Sequence, residues 1–297
     1  MRPRLSADGY HRICGFALAL LAIIIVTGGA VRLTGSGLGC SDWPTCEQDQ
    51  FVPEADFHGW VEFGNRLLTG LVSVAVILAV LGSMARNPRR TDLVRLSWGL
   101  VAGVVAQIVL GGIVVLSHLN PWLVLGHFAL SIVLVGNAVV LRHRAGDHLR
   151  AAGPSTPTPS NRIRSMATGI TLFSVVVLAT GTLVTGSGPH AGSRDDPIPR
   201  LPFAPPDISR VHGTTVVLFL AMVAALALAV RSDPTGERLR PRMQALGTVV
   251  VVQAAIGWTQ YLTGVPELLV GLHLAGATAL WATVVSLTLD AREAAPT

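Results

Sequence analysis

Eight apolar runs, each long enough to cross a bilayer, leave this chain of 297 residues few folds to choose from. A helical span needs about 20 mostly apolar residues. The runs cover roughly residues 13–31, 64–84, 96–116, 124–141, 166–186, 211–230, 244–263 and 268–289. Composition agrees: 51% of the residues are hydrophobic and the mean hydropathy is +0.57, too apolar for an ordinary soluble domain. The first run is not a secretory signal, because it is too long and seven further spans follow it. The expected fold is an all-α integral membrane protein with eight transmembrane helices.

Arginine sets the expected orientation, because the chain contains no lysine. The N-terminus and the segments near 85–95, 142–164, 231–243 and 290–297 hold 17 of the 22 arginines. The opposite face holds Arg32, Arg194, Arg200 and Arg210, with Arg66 just inside a helix. Positively charged loops stay in the cytoplasm, which places both termini there and the protein in the cell membrane. The net charge of +5 belongs to these loops and to anionic lipid; no nucleic-acid partner is expected.

The chain reads as two related halves. His127 and His273 are 146 residues apart, as are Gln107 and Gln253, and Asn65 and His212 are 147 apart. Thr34-Gly35-Ser36-Gly37 returns as Thr185-Gly186-Ser187-Gly188. External loops alternate long (32–63, 187–210) and short (117–123, 264–267). The expected arrangement is two tandem four-helix bundles, residues 1–145 and 165–297. A Pro- and Ser-rich cytoplasmic linker, 146–164, joins them. Four spans per half return the chain to its starting side, so the repeats are parallel.

Asn65, His127, His212 and His273 all lie near the outer ends of even-numbered spans, at similar depth. Histidine inside an apolar helix is costly and usually functional. Helix bundles build cofactor sites from side chains on facing helices, and neutral imidazole is a common axial ligand of heme iron. His212 and His273 form the cleaner pair, read either as bis-His heme ligands or as helix-end histidines meeting interfacial water. Gly213 and Gly271 beside them would let a flat ring approach. In the first half His127, preceded by Gly126, faces Asn65. An amide is a poor iron ligand, so that site is five-coordinate or takes water or His58.

Glu62 precedes Asn65 by three residues and is the carboxylate best placed to work as a base. It equally suits an ion pair with Arg66; the alternative partner for Arg66 is a heme propionate. Cys14 opens the first span as a packing residue. Cys40 and Cys46 in the first external loop are either a disulfide, in an oxidising compartment, or two free thiols. His118 and His190 read as interface or loop residues, and His11, His143 and His148 belong to the cytoplasmic charge belt. Gln107 and Gln253 read as amides that bond neighbouring helices. Trp43, Trp60, Trp122 and Trp258 fall near the outer interface, where tryptophan is enriched.

The run Thr27-Gly28-Gly29-Ala30-Val31-Arg32-Leu33-Thr34-Gly35-Ser36-Gly37-Leu38-Gly39-Cys40, followed by Asp42-Trp43-Pro44-Thr45-Cys46, resembles the first loop of the heme A synthase family. Glu62-Phe63-Gly64-Asn65-Arg66 and the helix-borne His127, His212 and His273 carry the same resemblance. It implies a membrane oxidoreductase that converts the C8 methyl group of heme O to a formyl group, giving heme A for terminal oxidases. The family is thought to hydroxylate the methyl twice, after which the gem-diol loses water. By the same resemblance, heme b is a cofactor on His212 and His273. The substrate heme O falls on His127, Asn65 and Arg66. Glu62 is the functional glutamate, and Cys40 and Cys46 form a disulfide. Many members carry histidine where this chain has Asn65. The implied partners are membrane lipid, an unidentified electron acceptor and, as a candidate, a heme O synthase. The rival reading is a diheme b-type electron-transfer cytochrome, which leaves Glu62 and the cysteine loop without a task. A heme transporter would need an opening on the other face.

Overall fold

The computed structural model describes residues 5–47, 50–151, 157–193 and 197–292. Its helices are α1 (Ala7–Leu33), α2 (Phe57–Ala85), α3 (Thr91–Leu116), α4 (Pro121–Ala145), the short α5 (Asp147–Ala151), α6 (Asn161–Ser187), α7 (Pro205–Ser232), α8 (Arg240–Leu262) and α9 (Glu267–Arg292). Eight of them are long and apolar enough to cross a membrane. Leu172, Val217 and Val251 are among the many large apolar side chains left exposed, as expected of a lipid-facing surface.

The helices outrun the apolar stretches that announce them. α2 starts at Phe57 rather than 64, and α7 at Pro205 rather than 211. Polar caps outside the hydrocarbon explain the difference. The Asp56 carboxylate accepts from Gly59 N at 2.8 Å, satisfying one of the free N–H groups of the first turn. Pro205 fits the first turn of α7, where its missing N–H costs nothing. α4 uses both devices, with Asn120 accepting from Trp122 N at 3.0 Å and Pro121 in the first turn.

Two buried clusters form the interior. One gathers residues of α1 to α4, including Tyr10, Val76, Leu100 and Leu141. The other gathers α6 to α9, including Ile170, Leu226, Leu246 and Leu287. α1, α4 and α9 pack together between them. Trp281 of α9 touches both clusters and donates its indole N–H to Ile132 O of α4 at 2.8 Å. Gly29 of α1 lets α9 come close: a Cβ there would lie 2.2 Å from a Leu274 methyl carbon.

The bundles differ in closure. In the first, each helix packs on two neighbours, closing a ring. In the second, α7 and α8 touch only sparsely, so one side stays open. The expected linker is partly helical, over Asp147–Ala151 and again from Asn161. Arg90 fastens its start, bonding Asp147 at 2.5 Å and Asp92 at 2.7 Å. Those carboxylates raise the Arg90 pKa above the ordinary arginine value. Residues 152–156 of the linker lie outside the described residues, as do Arg2, Arg4 and Arg194.

Candidate active site at the arginine-poor end

α2, α4, α7 and α9 all start at the same end of the molecule and carry Asn65, His127, His212 and His273 respectively near their starts. All four side chains are half-buried. Each leans on a glycine of the preceding long helix. A Cβ at Gly181 of α6 would stand 3.1 Å from His212 Cε1, one at Gly257 of α8 3.2 Å from His273 Cε1, and one at Gly111 of α3 3.4 Å from His127 Cε1. At Gly28 of α1 the distance to Asn65 Nδ2 is 3.9 Å. These glycines are not the ones singled out from the sequence. Gly126 and Gly213 border open space, and Gly271 lies against Leu33. The useful glycines sit on neighbouring helices, out of reach of local inspection.

Hydrogen bonds repeat the pattern. Gln107 Nε2 donates to His127 O at 3.1 Å, and Gln253 Nε2 to His273 O at 3.0 Å. Both amides therefore bridge the third and fourth long helices of their halves. Thr180 Oγ1 lies 3.0 Å from His212 Nδ1, and Thr27 Oγ1 donates to Asn65 Oδ1 at 2.8 Å. The sequence reading missed Thr27 and Thr180. Thr27 stands seven residues before its Thr-Gly-Ser-Gly run and Thr180 only five before its own, so the two registers differ.

The second-half donors suit a heme. Among the described residues His273 Nδ1 is buried without a hydrogen-bond partner, and so is His127 Nδ1. Buried polar atoms rarely go unmet, and such an imidazole points to a missing ligand environment. Glycine at the ring edges keeps both imidazoles free of Cβ crowding. Two neutral imidazoles from facing helices are a normal axial set.

The first half adds groups that have no counterpart among the described residues of the second. Glu62 is buried, and its Oε1 accepts from Arg66 Nε at 3.2 Å and Nη2 at 2.6 Å. Its Oε2 accepts from Cys40 N at 2.8 Å. Arg66 Nη1 reaches the carbonyls of Asp42 at 3.0 Å and Thr45 at 2.9 Å, and its guanidinium lies over the Trp43 ring. The Cys40–Cys46 disulfide closes the loop that supplies these partners. Gly39 meets the α2 backbone so closely that a Cβ would stand 2.2 Å from His58 O. The ion pair foreseen from the sequence is thus formed, and it fastens the cysteine loop to α2. A guanidinium has five N–H groups. Four are engaged here, so at most one N–H of Arg66 is left for a propionate.

At the matching positions of the second half, Ser209 replaces Glu62 and Gly213 replaces Arg66. His58 Nδ1 lies 2.8 Å from Ser36 Oγ. Asn65 lines a cavity of about 320 Å³ between α1 and α2, together with Thr27, Trp60, Gly64 and Leu68. Glu62 and Arg66 occupy the flank of α2 that the loop covers. His190 bonds Val265 O at 2.8 Å, while its own carbonyl accepts from Arg32 Nε at 2.8 Å. That contact, with Gly37 N donating to Gly192 O at 2.7 Å, clasps the two long loops together.

The sequence model of the COX15-CtaA family, described as cytochrome oxidase assembly protein, matches residues 11–197. A heme A synthase of Symbiobacterium thermophilum is 31% identical over 234 residues, which cover 75% of this chain and 74% of that protein. The chain belongs to the heme A synthase family. The heme A synthase of Geobacillus thermodenitrificans is 31% identical over 125 residues, 41% of this chain and 39% of that protein. That of Exiguobacterium sibiricum is 23% identical over 178 residues, 58% of each. The match therefore spans well under two thirds of these two relatives.

Proposed function

We propose that this chain oxidises the C8 methyl group of heme O to a formyl group, yielding heme A. One observation carries the reading: two sites of like construction differ in that, among the described residues, the first alone has a buried carboxylate and a disulfide loop beside it. A pure electron carrier has no use for that asymmetry. An enzyme with a substrate heme in residues 1–145 and a resident heme in residues 165–297 does.

In this reading His212 and His273 hold heme b, and His127, Asn65 and Arg66 receive heme O. When bound, heme b supplies a one-electron carrier beside the substrate. Turning the methyl into a formyl group with water as the oxygen source takes in one H2O and releases four electrons and four protons. The electrons leave for an acceptor outside the chain. His127 fixes the iron of the substrate and so the position of its methyl group. Arg66 turns its remaining N–H toward a propionate.

Glu62 handles the proton released at the methyl carbon. A carboxylate offers about four lone-pair sites. Arg66 takes both on Oε1, and Cys40 N donates to Oε2 with Gly39 N also facing the carboxylate, so a proton or a water competes at Oε2 with the loop backbone. The loop that covers α2 keeps bulk water from that oxygen. Both termini then lie in the cytoplasm and the sites near the outer face of the cell membrane, where a heme O synthase is a candidate donor of substrate.

Heme extraction and mass analysis from membranes of a host making heme O, with and without this chain, tests the proposal. A formylated heme is the expected product. Only unmodified hemes, together with a b-type spectrum in a host that has an active acceptor, would favour the electron-transfer cytochrome.

A further inference from the structure

Resting on the reading of the first half as a heme site, we propose that Asn65 is a hydrogen-bond donor to a small ligand on the iron of the heme bound there. Thr27 sets that direction. The ligand class is a small molecule or anion with an acceptor atom, such as water, hydroxide or a diatomic.

Bookkeeping in the two halves leads to opposite outcomes. Thr180 Oγ1 has Val176 O and Val177 O at 3.0 Å as acceptors for its proton. With that proton placed on a carbonyl, the Oγ1 lone pair can accept from His212 Nδ1–H at 3.0 Å, the tautomer that leaves Nε2 a free lone pair for iron. Thr27 occupies the corresponding place and spends its proton on Asn65 Oδ1 at 2.8 Å. The closest alternative acceptor for that proton, Ile24 O, is at 3.3 Å. Asn65 Oδ1 is therefore engaged, and the Nδ2 group has no partner among the described residues. An amide nitrogen carries two N–H donors and no lone pair for a metal.

Where the second half offers iron a ligand, the first offers N–H groups. No neighbouring side chain fills the gap. His58 is committed to Ser36, and Glu62 to Arg66 and Cys40 N. Asn65 and Thr27 both line the cavity between α1 and α2.

Carbon monoxide on the ferrous protein and cyanide on the ferric protein, loaded with heme O and heme b, test this. The first-half heme should bind carbon monoxide, and the second-half heme should not. Asn65→Leu should raise the C–O stretching frequency and weaken cyanide binding roughly tenfold, the loss of one hydrogen bond. Thr27→Val should shift both readings the same way by less, and Thr27→Ser should restore them. Asn65→His should abolish carbon monoxide binding at that heme and make it low-spin. A wild-type first-half heme that is already low-spin and takes no carbon monoxide would overturn the proposal, as would an unchanged stretch in Asn65→Leu. Failure of the underlying site reading is separately visible: His127→Ala would then leave heme O binding unaltered.

Discussion

The two halves of this protein share a scaffold and diverge in chemistry. Each places two polar side chains near the starts of its second and fourth long helices, backs them with glycines, and bonds the fourth helix through a glutamine amide. The second half then stops, with two imidazoles and an open flank between α7 and α8. The first half closes its ring of helices, exchanges one imidazole for Asn65, and adds the Glu62–Arg66 pair under a disulfide loop. A cofactor meant to stay needs strong ligands and little else. A substrate that must enter, react and leave suits weaker ligation and a group that moves protons.

The sharpest way to break this comparison is to remove one imidazole of the second half. His273→Ala should eliminate the heme b spectrum from purified protein and, with it, heme A formation to background, while His127→Ala keeps heme b. Retention of heme b in His273→Ala would undo the division of labour. Next in size is Glu62→Gln. Positioned acid–base groups contribute about 10²–10⁴-fold, so heme A production in a turnover assay should fall by that order while both hemes remain bound. Normal turnover would remove Glu62 from the proton path.

Cys40→Ser should act through the loop. The pair closes the segment whose Cys40 N–H and Asp42 and Thr45 carbonyls hold Glu62 and Arg66. A disulfide typically contributes about 2–4 kcal/mol. Thermal unfolding of the variant should come earlier and turnover should drop, with the heme b spectrum unchanged. A disturbed heme b would mean the loop supports both halves equally. The smallest effects belong to the glycines behind the imidazoles. Gly181→Ala, Gly257→Ala and Gly111→Ala should perturb the absorption bands of their hemes in that falling order, following clearances of 3.1, 3.2 and 3.4 Å. The reverse order would show that the rings are free to rotate.

Much of the fold was legible in the sequence because lipid admits so few solutions. An apolar run of bilayer length has to be a helix, and arginine marks one end of each. Helix ends were less legible, since Asp56 and Pro205 prolong α2 and α7 beyond their apolar runs by capping rather than by hydropathy. Asn65, His127, His212 and His273 were found because an ionisable or amide group in an apolar helix stands out. Thr27 and Thr180 were not, because threonine is common in such helices and the Thr-Gly-Ser-Gly runs suggested another register.

The sequence by itself determined the eight spans, the doubled plan, the four polar positions and the substitution of asparagine for histidine. These depend on residue type and on spacing along one chain, which hydropathy and helical period make readable. Only the tertiary structure decided that Glu62 grips Arg66 and the cysteine loop, that Thr27 takes the oxygen of Asn65, and that glycines of other helices back the imidazoles. Those are relations between segments. They follow from how helices pack, and a hydrogen bond between segments depends on distances and angles that spacing in sequence does not encode.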